Sequence, residues 1–195
     1  LVFSRTGTLF SRVINFGLSH KYAHVSLSFD SSLNVMYSFG RINPDNPFIA
    51  GLIKENINSG IFTKFPYSEC MIYKVKVSET QLKTLKKELN IFMEEQKKYR
   101  YNFLGVFTAY WDKPREKDYY YFCSQFIAEL LINSGIYKTD KPPEIIKPMD
   151  LLEIKNKTLV YEGIIDEENY QNYIDNNFSV FNSPRLNKVI SKLIR

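Results

Sequence analysis

The sequence predicts an α+β domain built on a small, mostly antiparallel sheet. Three stretches carry that expectation. "HVSLSFD" alternates apolar and polar residues at the period of a strand. "SETQLKTLKKELNIFM" opens on a capping box and continues with helical spacing. "CSQFIAELLINSG" is a helix that is apolar around most of its circumference, so it belongs against the sheet.

Taken in order, residues 1–4 read as a short strand, and because Leu1 lies inside it a short native start is expected to be missing. "SRTGTLFSRVINFG" is a loop passing into a helix with Phe10, Val13, Ile14 and Phe16 as its apolar set. In the next strand Val25, Leu27 and Phe29 share one face, and His24, Ser26, Ser28 and Asp30 the other. "SSLN" turns the chain into "VMYSFG", so residues 24–40 form a hairpin. Residues 41–66 are rich in Asn, Pro and Gly yet hold Phe48, Ile49, Leu52 and Ile53. They read as a long functional loop, a lid or binding loop.

"SECMIYKVKV" is a third strand. Ser78 and Gln81 open a helix running through Lys98, with Leu82, Leu85, Leu89 and Phe92 facing inward. "YRYNFLGVFTAYW" leads to the charged loop "DKPREKD" and then to the cysteine helix, which Asn133-Ser134-Gly135 stops. "KPPEIIKPMDLLE" is a connector with a short helical turn, and "LVYEGII" is a late strand. The element order is β–α–β–β–β–α–α–β.

Composition narrows the function classes. A chain of 195 residues, 44% hydrophobic and 15% aromatic, supports one packed domain, assigned to residues 1–165. Residues 166–195 form a C-terminal extension. It ends in an amphipathic basic helix with Leu186, Val189, Ile190, Leu193 and Ile194 on one face, able to lie on a membrane surface or to pack back on the domain. The net charge of +5 comes from lysines interleaved with acids, and there is no arginine run or zinc finger, so nucleic acid is not an expected partner. Two cysteines and two histidines do not make a zinc site at these spacings, and neither a metal nor another cofactor is expected. No stretch approaches the ~18 apolar residues of a membrane span, and no signal peptide is visible. With two lone cysteines, this points to a reducing, cytoplasmic setting.

Chemistry concentrates at Cys123, in the first turn of its helix, where the helix dipole favours an anion and a thiol can become a thiolate. The other reading is a buried cysteine packing as a small hydrophobe. A nucleophile needs a base, and the candidates are His24, on the polar face of its strand, and His20, in the loop before it.

"YAHVSLSFD", "YRYNFLG", "FCSQFIAELL" and "IKPMDLL" together resemble the circularly permuted papain-like amidases of the NlpC superfamily, in particular the YiiX-like proteins. Lecithin-retinol acyltransferase-like enzymes are more distant cousins. The resemblance covers roughly residues 2–152. It implies a permuted papain-like fold, with Cys123 as nucleophile, His24 as general base and a thioester intermediate. It further implies a third residue on the strand after the histidine, where this sequence offers only Tyr37 and Ser38. Glu55, on the long loop, is a substitute from further away.

Arg5 and Arg41 could hold a carboxylate or phosphate at the mouth of a cleft, or form surface ion pairs. Tyr22, with Tyr99, Tyr101 and Tyr119 to Tyr121, belongs either to a substrate pocket or to core and rim. Gln125 reads as a solvent-side helix residue. The backbone amides of Cys123 and Ser124 are candidates for an oxyanion hole. The functions in view are a thiol hydrolase, amidase or peptidase-like, acting on a small-molecule, peptide or lipid acyl substrate; a lipid-directed acyltransferase or phospholipase; and a catalytically weak binding module. The oligomeric state is not legible.

Overall fold

In the computed structural model, residues 1–5, 21–43, 46, 48–65 and 68–165 are described. Among the described residues, eight strands and four helices form a mixed α+β structure: β1 (Val2–Arg5), β2 (His24–Ser28), β3 (Met36–Arg41), β4 (Ala50–Glu55), α1 (Ile61–Lys64), β5 (Glu69–Val75), α2 (Glu79–Glu94), β6 (Arg100–Tyr101), α3 (Phe103–Tyr110), β7 (Tyr120–Tyr121), α4 (Cys123–Asn133) and β8 (Lys157–Ile164). Six strands pair antiparallel in the order β4-β3-β2-β1-β5-β8. β6 and β7 make a separate, short parallel pair.

The β2–β3 hairpin follows from its turn chemistry. The Asp30 carboxylate accepts from the backbone N–H of Ser32 and Leu33, at 2.9 and 3.1 Å, and Leu33 takes a left-handed φ of 53°. The capping box at α2 forms as its residues dictate. The Ser78 hydroxyl accepts from the Gln81 N–H at 3.2 Å, and the Ser78 N–H donates to the Gln81 side chain at 2.9 Å.

Each face of the sheet carries a core. On one, Phe3, Val25, Leu27, Phe39 and Leu52 meet Phe126, Ile127, Leu130 and Leu131 of α4 and Leu85, Leu89 and Phe92 of α2. The Phe39 ring packs edge-on against Phe126 at 5.1 Å, and Phe92 packs on Phe126 at 5.0 Å. On the other, Val2, Met36, Cys70 and Ile72 are covered by Leu33, Ile57 and Phe62. The sheet is therefore a middle layer, and α4 is fixed rigidly on one side of it.

Two expectations need correction, and one unassigned segment gains elements. Residues 41–66 are not one long loop: β4 and α1 occupy much of the segment. β4 pairs with β3 in unbroken register from Met36↔Glu55 to Arg41↔Ala50, and the facing glycines Gly40 and Gly51 hide the strand pattern. The helix after Ser78 ends at Glu94, and a 3₁₀ turn, Gln96–Lys98, follows it. "YRYNFLGVFTAY" contains β6 and then α3, whose first turn is capped by the Asn102 side chain accepting from the Gly105 N–H at 2.8 Å. The expected helix containing Phe10 and Val13, and the extension from residue 166, lie outside the described residues. Among the described residues, no helix is long and apolar enough to cross a membrane.

Phe39 is fully buried where sheet and α4 meet. Phe39→Ala should therefore cost about 3–5 kcal/mol, read as a lowered midpoint in urea denaturation.

Candidate active site

α4 begins at Cys123, directly after Phe122, whose backbone is extended. The start of the helix is held in two ways. Phe122 is buried with Val106 and Ala109 of α3, and the Ser124 hydroxyl donates to the Ile146 carbonyl at 2.7 Å. Sulfur is thereby presented at the first turn, where backbone N–H groups have no intrahelical acceptor. The Cys123 thiol makes a long contact, 3.9 Å, to the carbonyl of Ala23, the residue before His24.

His24 opens β2, opposite Ser4 of β1, and its imidazole has two neighbours of consequence. Nε2 lies 3.0 Å from each carboxylate oxygen of Glu55. The Cys123 side chain is near enough to the ring to help raise its pKa. Ser26, two residues along the same strand, donates its hydroxyl to Glu55 and lies 3.2 Å from Nε2. The Glu55 side chain is 7% exposed and that of His24 21%. A carboxylate so placed is held by its partners, and one oriented like this fixes the tautomer and direction of the ring.

Burial opposes charge on His24, but Glu55 and Cys123 outweigh it and hold the imidazole well above its usual 6.5. Burial likewise opposes ionisation of Glu55, yet His24 and Ser26 keep that carboxyl below its usual 4.5. Cys70 presents a contrast: burial alone pushes its thiol up to about 12.

The third partner of the imidazole is therefore not on β3. The Ser38 hydroxyl is fully buried and donates to the Val25 carbonyl at 2.7 Å, which commits it to the sheet. Tyr37 lies opposite Leu27 and packs its ring on Phe29, with Lys54 above it. Glu55, expected on a loop as a remote substitute, is instead the last residue of β4 and sits directly at the imidazole. Gly40 leaves the room: a Cβ there would lie 3.5 Å from His24 Cε1, 3.4 Å from Glu55 Oε1 and 2.8 Å from Ile53 Cδ1.

Other expected contacts also rearrange. Tyr22 is 1% exposed and donates to Glu162 of β8 at 3.1 Å, so it ties the strand start to the far side of the sheet. Arg5 is exposed, opposite Glu69 of β5. Arg41 is partly buried near Tyr101. Gln125 is buried, at 3% exposure, and is not a solvent-side residue, because α4 is enclosed on nearly all sides. His20 lies outside the described residues.

A small cavity of about 20 Å³ adjoins the sulfur, with Ala23, Tyr101, Val106, Tyr110 and Lys147 among its lining. Burial first, and then Cys123, pushes both the Tyr101 and Tyr110 phenols up, so both remain neutral donors at physiological pH. Lys147 is engaged by Asp112 at 3.0 Å. Among the described residues, no cluster of His, Cys, Asp and Glu is suited to a metal ion.

The pKa shifts give a stability test with a defined sign. The raised His24 contributes fully below pH 6.5, and its contribution is lost as pH rises through its higher folded value. The depressed Glu55 contributes above pH 4.5, and its share is lost as pH falls through its lower folded value. Unfolding free energies of wild type and Glu55→Gln from urea denaturation should thus differ most between about pH 4.5 and 6.5, by about 1–3 kcal/mol, and converge on either side. Gly40→Val should displace Glu55 and His24 and lower the His24 pKa, visible in the imidazole proton resonances. No family model, curated protein or solved structure matches the chain, so the reading of this site rests on its own geometry.

Proposed function

We propose that the protein is a cysteine hydrolase or acyltransferase of the permuted papain-like type found in the NlpC superfamily, with Cys123 as nucleophile, His24 as proton carrier and Glu55 as its anchor. The single observation that carries this reading is the cluster of Glu55, His24 and Cys123: a carboxylate on an imidazole, and a thiol at a helix start against the carbonyl of the residue before that imidazole.

In this reading Cys123 Sγ forms a bond to the acyl carbon of an amide, ester or thioester, and its proton passes to His24. The first-turn amides receive the developing oxyanion. As the tetrahedral intermediate collapses, the imidazolium donates its proton to the leaving group and a thioester remains on Cys123. Water, or an acceptor hydroxyl or amine, then gives a proton to His24 as it attacks the thioester. The second collapse returns that proton to sulfur and frees the acyl product. Glu55 touches no substrate; it holds the ring and balances the imidazolium.

A lipid acyl donor is favoured by a different observation. Leu104 and Phe107 of α3 and Trp111 just beyond its end are exposed, and the same helix lines the cavity beside Cys123 with Val106 and Tyr110. An apolar face beside the sulfur suits a donor that arrives from a membrane surface. The binding-module reading drew on a missing third residue, and the Glu55 carboxylate at the imidazole supports catalysis over it.

Screening hydrolysis of acyl-peptide, amino-acid amide and lipid ester substrates tests the proposal. Cys123→Ala and His24→Ala should each abolish turnover while leaving the far-ultraviolet circular dichroism unchanged. Glu55→Gln should lower kcat by about 10² or more, part of what a well-positioned base contributes. Unchanged turnover in Cys123→Ala would rule the enzyme reading out.

A further inference from the structure

The sequence of α3, "FLGVFTAY", carries no charged residue, yet only one side of the helix is enclosed. Val106 and Ala109 are buried with Phe122, and together with Tyr110 they line the cavity beside Cys123. Leu104 and Phe107, one turn apart, are exposed, Leu104 by 58%. A helix on the surface of a domain in water turns polar residues outward. One that is apolar all round is enclosed by protein or by lipid.

The exposed apolar side chains continue beyond the helix. Trp111 lies one turn past Phe107 and is 70% exposed. Phe103, the first residue of α3, packs its ring against Phe48 at 6.3 Å. Phe48 belongs to the connection between β3 and β4 and is 81% exposed. Ile42, whose N–H donates to the Ile49 carbonyl at 2.8 Å in the same connection, is exposed as well. Single exposed apolar residues are ordinary, but the contact of Phe48 with Phe103 joins hairpin and helix into one surface.

The rim of this surface selects its partner. Trp111 leads into the exposed loop 112–118, in which Asp112 is matched by Lys147 at 3.0 Å. Lys113, Arg115 and Lys117 then outnumber Glu116 and Asp118, and the whole chain carries +5. A second copy of the chain would bring the same positive rim against this one. An anionic headgroup layer complements it. A tryptophan between apolar and charged residues is also the placement favoured at a lipid–water boundary.

We propose that α3 and the tip of the β3–β4 hairpin form a membrane-docking surface, inserting Phe48, Leu104, Phe107 and Trp111 among the headgroups of a bilayer that contains anionic phospholipid. This rests on the lipid-donor reading above and names how the donor is reached: the enclosed side of the docked helix borders the cavity at Cys123. Docking itself requires no acyl transfer, so the two are separable by experiment.

Trp111 is the only tryptophan in the chain, so its fluorescence reports on this surface alone. The protein is titrated with vesicles of phosphatidylcholine and phosphatidylserine in equal parts, and with matching vesicles brominated in the acyl chains. Trp111 emission should shift to the blue with the first and be quenched by the second. Leu104→Gln and Phe107→Gln should each weaken partitioning about tenfold, the loss of one buried apolar side chain, with unchanged circular dichroism. Vesicle binding without a shift or quenching of Trp111 assigns attachment to another part of the chain, such as residues 166–195, and overturns the proposal. So does a blue shift that follows protein concentration and ignores vesicles, which assigns the face to a second copy. Equal partitioning into phosphatidylcholine alone overturns the choice of an anionic partner. Quenching without turnover of any lipid ester supports the surface and removes the lipid-donor reading; turnover of lipid esters without quenching does the reverse.

Discussion

A carboxylate placed against an imidazole, with water largely excluded, is the constraint on which the rest of this structure turns. Glu55 and His24 lie on strands separated by β3, so their side chains meet only if β2, β3 and β4 pair in one register. A slip of one residue in β4 would send Glu55 to the opposite face and leave a charge buried without a partner. Ser26 strengthens the requirement by donating to the same carboxylate from two residues along β2. The polar pair is therefore also a register device within an otherwise apolar sheet.

The surroundings of the pair follow from space and rigidity. Gly40 is needed because a side chain there would collide with Ile53 and press on both members. Ser38, although polar and central, is spent on the Val25 carbonyl and holds the hairpin together. On the opposite face the rings of Phe39, Phe92 and Phe126 lock α4 to the sheet, and Ser124 and Phe122 fix where that helix begins. A thiol on a helix start that cannot slide, beside an imidazole on a strand that cannot slip, is a preorganised arrangement.

How much of this was legible in the sequence depends on the range of the signals. The β2–β3 hairpin, the capping box at Ser78 and the apolar helix after Cys123 are local patterns, and all three are present in the fold. Cys123 and His24 stand out by residue type and position, and the fold brings them together. Glu55 was harder to place because its strand is interrupted by Gly51 and preceded by Asn and Pro, so the segment reads as a loop. Only cross-strand pairing with β3 reveals it as a strand, and pairing is not a local property. Ser38 and Tyr37 failed as anchors because strand alternation alone does not say which hydroxyl the backbone will claim. Gln125 was misjudged because its burial is imposed by the packing around α4, and Tyr22 takes the core side of its two readings through a contact with β8, both distant in sequence.

The measurement that tests this account most directly is intact-protein mass spectrometry after acid quenching of the protein with activated acyl esters of graded chain length. The account predicts a single acyl adduct on Cys123, released by hydroxylamine as a thioester should be, and longer-lived in Glu55→Gln, where deacylation has lost its anchored base. An adduct on Cys70, or none on Cys123 with any ester while the protein remains folded, would contradict it.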